Sequence, residues 1–151
     1  MAFGRLARRE ARASSPAVML RDRLAAIIDR FDVVELAVMF GSTVRATARP
    51  DSDVDIGIRL TTDSTDARLE VERALARAVP ERRLDIIDLD GAPPQLRFEI
   101  GRDALVLVER RPYAWADFRA RAMIDWWDWA PYARMIHHAA AERARQRNGP
   151  A

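Results

Sequence analysis

Residues 41–58 read GSTVRATARPDSDVDIGI, and they are entered from VVELAVMF at residues 33–40. The entering run is almost wholly apolar and rich in β-branched residues, which predicts a buried strand. It stops at Gly41-Ser42, and the polar stretch to Pro50 leaves room for a short helix. From Asp53 to Leu60 the residue types alternate strictly. Val54, Ile56, Ile58 and Leu60 point one way, and Asp53, Asp55, Gly57 and Arg59 the other, so a second strand with one buried face is expected.

The same logic extends to both sides. Ser15-Pro16 has the chemistry of a helix start, an N-cap serine with proline at the first helical position. Leu20, Leu24, Ile27, Ile28 and Phe31 then fall on one helical face. After the second strand, Thr61–Asp66 is a turn and helix-start cluster. Val71, Leu75, Ala78 and Val79 form a helical stripe that Pro80 ends. LDIIDL at 84–89 predicts a third strand. Pro93–Ile100 suits a short helix with Gly101 as its C-terminal stop, and ALVLV at 104–108 predicts a fourth strand. From Pro112 to Arg147 only Pro131 interrupts a helical reading, and it is expected to end or kink the helix. Helices and strands alternate throughout, which argues for one α/β domain with a helical C-terminal extension. The ends, 1–15 with Arg5, Arg8, Arg9 and Arg12, and 148–151, read as a flexible basic arm and a frayed tail.

Composition narrows the chemistry. The 151 residues include no Cys, and every one of the 25 basic residues is Arg. Thiolate metal sites, disulfides, cysteine nucleophiles, lysine Schiff bases and the lysine of a P-loop are therefore all excluded. The net charge is only +2, so a general nucleic-acid-binding surface does not follow. No apolar run is long enough to span a membrane, and the first 15 residues lack the apolar core of a secretory signal. A cytoplasmic location is the expectation.

Asp53 and Asp55 project from one face of a strand, about 6–7 Å apart along it. Asp85 lies on another strand and converges with them if the two strands are neighbours. Gathered carboxylates repel one another and call for cations between them. An all-oxygen donor set favours Mg²⁺, with Mn²⁺ also compatible. Two such ions are the general device for in-line attack at phosphorus. Gly41-Ser42 supplies the complementary part, because glycine lets the backbone approach a ligand and the following N–H groups and hydroxyl can hold phosphate oxygens. Arg45, one turn on, can reach the same phosphates. Asp88 and Asp90 follow closely on Asp85, and strand alternation does not choose between Asp85 and Asp88 as the third acid.

The order Gly41-Ser42, ten residues, Asp53-Val54-Asp55, then LDIIDL resembles the polymerase-β-type nucleotidyltransferase superfamily, and in particular the minimal nucleotidyltransferases that form the antitoxin half of HEPN/MNT toxin–antitoxin pairs. The resemblance implies a four-stranded mixed sheet with flanking helices in an α+β nucleotidyltransferase domain at 16–111, with a helical extension at 112–147 packed on it. It further implies catalytic, metal-binding acids at Asp53, Asp55 and Asp85, with nucleotide phosphates held at Gly41, Ser42 and Arg45. The activity implied is transfer of a nucleoside monophosphate, AMP from ATP, to a hydroxyl of a HEPN-family toxin, with two Mg²⁺ ions. Family members often carry Arg-Gly after the Gly-Ser turn, whereas Arg45 here is followed by Ala46. Two other readings share these residues: transfer to a small aminoglycoside-like acceptor, which the short C-terminal part disfavours, and an antitoxin that acts by binding alone.

Seven of the eleven aromatic residues fall between Tyr113 and Tyr132, too many for one helix of a small domain to bury on one side. This 113–132 belt is expected to combine core packing with a homo- or hetero-oligomer surface. The adjacent His137 and His138 point about 100° apart on a helix and suit a helix surface better than a shared ion.

Overall fold

The computed structural model describes residues 16–45 and 52–147. The expected arm at 1–15, the short helix sought between Ala46 and Pro50, and the tail at 148–151 lie outside the described residues. In chain order the elements are α1 (Pro16–Ile28), β1 (Val34–Phe40), β2 (Val54–Leu60), α2 (Thr65–Ala78), β3 (Leu84–Asp88), α3 (Pro94–Asp103), β4 (Leu105–Glu109) and α4 (Ala114–Arg147). The four strands form one mixed sheet in the order β3-β2-β1-β4. β1 runs antiparallel to both β2 and β4, and β2 runs parallel to β3. A parallel pair needs a crossover, and α2 provides it. Its start is fixed by the Ser64 side chain accepting from the Ala67 N–H at 3.2 Å.

The sheet is covered on both faces. On one, Leu24 and Ile28 of α1 and Val71 and Leu75 of α2 pack with Ala37, Met39, Val54, Ile56 and Ile58. On the other, Ile100 of α3 and Ala114, Phe118 and Ala122 of α4 pack with Leu36, Val38 and Leu89. That double cover explains why β1 is apolar at nearly every position. Val34 joins the first cluster and Leu36 the second, with a register irregularity between them.

Three expectations are corrected. β2 has two buried faces, not one. Gly57 is buried because the Leu89 side chain occupies the space where a Cβ would go. Arg59 lies over the Phe118 ring, 5.6 Å from its centroid. Gly101 does not stop α3, which continues to Asp103. It packs against α4, whose Arg119 and Ala122 would lie at ordinary van der Waals distances of 3.6–3.8 Å from a Cβ there. Pro131 does not end the last helix either, since α4 runs unbroken from Ala114 to Arg147. No helix among the described residues is long and apolar enough to cross a membrane.

Candidate active site

The site is built at the end of β1. Phe40 stands opposite Asp55 of β2, and Asp55 stands opposite Asp85 of β3. Neighbouring strands are about 4.8 Å apart, so Asp55 and Asp85 emerge side by side on one face of the sheet. Asp53 is two residues back, on the same side of β2. The parallel β2–β3 pairing is what brings together acids 30 positions apart in sequence, an adjacency on which the sequence reading depended.

At Gly41 the chain leaves β1 with φ 76°, the left-handed region. A Cβ there would collide with the Asp55 carboxylate. Two separate constraints therefore require glycine: backbone conformation and the closeness of the acid. The Arg45 N–H reaches back to the Gly41 carbonyl at 3.3 Å, closing one turn. Within that turn Thr43 is buried, and its hydroxyl donates to the Asp53 carbonyl at 3.4 Å. The turn and the start of β2 are thus tied together, with the half-buried Ser42 between them and the Arg45 side chain exposed.

Among the described residues the acids are under-compensated electrostatically. Burial raises the Asp55 carboxyl above its ordinary value, and the negative charges of Asp85 and Asp53 push it further the same way. Arg45 opposes them. A carboxylate held near like charges gains when a cation arrives, and the donor set is all oxygen, which suits a hard divalent ion. Among the described residues no three His, Cys, Asp or Glu side chains are gathered closely enough to hold an ion unaided.

The neighbouring acids have other partners. The Asp88 carboxylate accepts from the Asp90 and Gly91 N–H groups, both at 3.2 Å, and lies 3.6 Å from Arg68. Asp90 is gripped by Arg59 at 2.6 and 3.0 Å. Both serve the turn after β3, whereas Asp85 is exposed beside Asp55. His138 lies 3.5 Å from Glu142 on α4, and the side chain of His137 lies outside the described set.

One site neighbour is invisible to motif reading. Asp103 is the last residue of α3, just before β4, the strand that flanks β1 on the side away from β2. A hydrogen bond from Arg102 holds the Asp103 carboxyl below its ordinary value, and the Arg45 charge adds to the effect. Arg45 therefore acts on carboxyls on both sides of the turn.

A family described as "Polymerase beta, Nucleotidyltransferase" matches residues 22–113. No curated protein matches the chain. Among solved structures, a toxin–antitoxin complex with AMP-PNP is similar at 22% identity and a TM-score of 0.58, over 85% of this chain and 95% of that one. The toxin–antitoxin MntA-HepT is similar at 20% identity and 0.53, over 86% and 95%. A tri-AMPylated Shewanella oneidensis HEPN toxin in complex with MNT antitoxin is similar at 20% identity and 0.54, over 87% and 96%. At these identities the likeness is one of fold. The family match spans β1, the Gly41 turn, both acid-bearing strands and β4, and the chain belongs to the polymerase beta nucleotidyltransferase family.

Proposed function

We propose that this chain is an Mg²⁺-dependent nucleotidyltransferase that transfers AMP from ATP to a hydroxyl of a HEPN-type toxin, and so acts as the antitoxin of the pair. The observation that carries the reading is Asp55 level with Asp85 on adjacent strands, with Gly41 pressed against the Asp55 carboxylate. The choice of nucleotide, acceptor and partner is supported by the similar complexes, one with AMP-PNP and one holding an AMPylated toxin.

In this reading Asp53, Asp55 and Asp85, together with phosphate oxygens of the nucleotide, would hold Mg²⁺, and the ion would supply charge neutralisation on the phosphates and on the attacking oxygen. The N–H groups following Gly41 and the Ser42 hydroxyl bind the β- and γ-phosphates, with Arg45 as a further cation. The acceptor oxygen forms a bond to the α-phosphorus while the bond to the bridging oxygen breaks, and pyrophosphate leaves with that electron pair. The acceptor proton passes to a carboxylate, and Asp85 is the exposed candidate.

The test is incubation with α-labelled ATP, Mg²⁺ and the partner toxin. Label is expected on the toxin with the wild type and none with Asp53→Ala. Absence of transfer with every divalent metal, or equal transfer by Asp53→Ala, would overturn the proposal. Full neutralisation of the toxin by a transfer-dead Asp53→Ala would instead show an antitoxin that acts by binding.

A further inference from the structure

One peptide plane in the site is held from both edges. The unit that joins Asp53 to Val54 gives its N–H to the Arg83 carbonyl at 2.9 Å. Its C=O accepts from the Thr43 hydroxyl at 3.4 Å. The N–H and C=O of a planar peptide point to opposite sides, so the two bonds brace it across the end of the sheet. On one side lies the turn after β1. On the other lies the entry to β3, where Arg83 stands two positions before Asp85. Fixing this plane fixes the Cα from which the Asp53 carboxylate springs. Val54, paired with Leu84, carries the hold on towards Asp55.

Thr43 is an unexpected residue for that place. It is 5% exposed, and among the described residues it is the one buried polar side chain. Valine has the same branched shape and would fill the space with no polar group to satisfy. Its neighbour Val44 already packs against the core, so the apolar anchorage of the turn does not depend on Thr43. What threonine adds is a donor. The bond it makes spans ten positions of chain, and it fixes the Gly41 turn against the start of β2 whatever lies between.

We infer that Thr43 is a positioning residue of the transfer reaction, whose hydroxyl sets the Asp53 peptide and so couples the acids that take the metal to the turn that takes the phosphates. The inference rests on the reading of Asp53, Asp55 and Asp85 as the Mg²⁺ site. In this role Thr43 touches neither the ion nor the nucleotide. It acts through the backbone of a ligand, and losing such an outer partner typically costs about 10–100-fold in metal affinity or activity. Because one bond joins the two halves of the site, a nucleotide on the turn and a cation on the acids favour the same arrangement. Each therefore raises the affinity for the other by the same factor.

The experiment is calorimetric titration of the full chain with AMP-PNP, once in excess Mg²⁺ and once in EDTA, with no toxin present. The wild type should bind more tightly in Mg²⁺, and Asp53→Asn should abolish that gain. Thr43→Val should lower the affinity in Mg²⁺ about tenfold or more, while the affinity in EDTA stays near that of the wild type. Thr43→Ser keeps the donor and should restore the gain. Cooperative thermal melts check that each variant is folded, and if Thr43→Val is not, Thr43→Ala carries the same expectation. A folded variant without the hydroxyl that keeps the full Mg²⁺ gain would overturn the inference. So would a Thr43→Ser as defective as Thr43→Val, or an equal loss in EDTA, which would leave Thr43 serving the turn alone. A wild type that gains nothing from Mg²⁺ would overturn the inference and the metal reading together. A Mg²⁺ gain that depends on Thr43, in a chain that transfers no label to the toxin, would support the inference and overturn the transfer reading instead.

Discussion

The two ends of β2 treat charge in opposite ways. Asp53, Asp55, Gly57 and Arg59 share one side of the strand. At its far end Arg59 binds Asp90 at 2.6 Å and approaches Glu35 at 4.0 Å. Glu35 in turn binds Arg111, which also binds Asp117 at the start of α4. Opposite charges alternate there, and they tie β1, β2, the turn after β3 and α4 together. At the near end Asp53, Asp55 and Asp85 are all acidic, and Arg45 is the cation whose charge reaches Asp55. One end has its partners within the fold. Among the described residues the other is left short of positive charge, as a site awaiting a metal and a nucleotide would be.

Removing one acid should separate these roles most sharply. Asp55→Asn is expected to cut transfer by more than the roughly 100-fold that losing even an outer partner of a metal ligand costs. It should at the same time raise the apo protein's melting temperature near neutral pH, because it removes a like charge from a partly buried cluster. Label-transfer rates and thermal denaturation report the two effects, and a variant both inactive and less stable would break the comparison.

The middle of the strand comes next. Gly57→Ala places a methyl where the Leu89 side chain sits, an overpacking expected to cost about 1–3 kcal/mol. Denaturant unfolding should show that loss with little change in the KM for ATP, since the Gly41 turn is not touched. At the paired end, Arg59→Met keeps a long apolar stem over Phe118 but leaves Asp90 and Glu35 without that guanidinium. A loss of about 1 kcal/mol, with transfer unaffected, is expected.

The smallest effect is the pH dependence. The raised Asp55 carboxyl binds its proton more tightly in the folded chain than in the unfolded one. Its contribution to apo stability therefore declines as pH rises from the unfolded-state value through the higher folded one. Melting measured across the acidic range should show that decline, and added Mg²⁺ should offset it only at the upper end, where the carboxylate is charged. A decline equally offset by Mg²⁺ where the carboxyl is protonated would argue that the ion binds elsewhere.

Strand positions were legible because apolar periodicity reports burial directly, and the strands begin and end within a residue of the expectations. The second covered face of β2 was not legible. Gly57 and Arg59 look like a solvent face in sequence, and only Leu89 and Phe118, remote in the chain, turn them inward. Gly101 and Pro131 carry the usual marks of helix ends, yet both lie inside helices. Within the site, the Gly41 turn and the Asp53–Asp55 pair are local and could be read. The place of Asp85 beside Asp55 rests on parallel pairing. The roles of Asp88 and Asp90 rest on a turn held by N–H groups and by Arg59. Neither is encoded by spacing.

The position of β3 at the margin of the sheet has a further consequence. Among the described residues no strand pairs with its outer side, and a five-residue edge that carries exposed charge resists pairing with another chain. Asp85 lies on that edge. Replacing it with an apolar residue would then do more than remove an acid from the site: it would strip a charge from an edge strand, and self-association of the sheet edge would accompany the loss of chemistry.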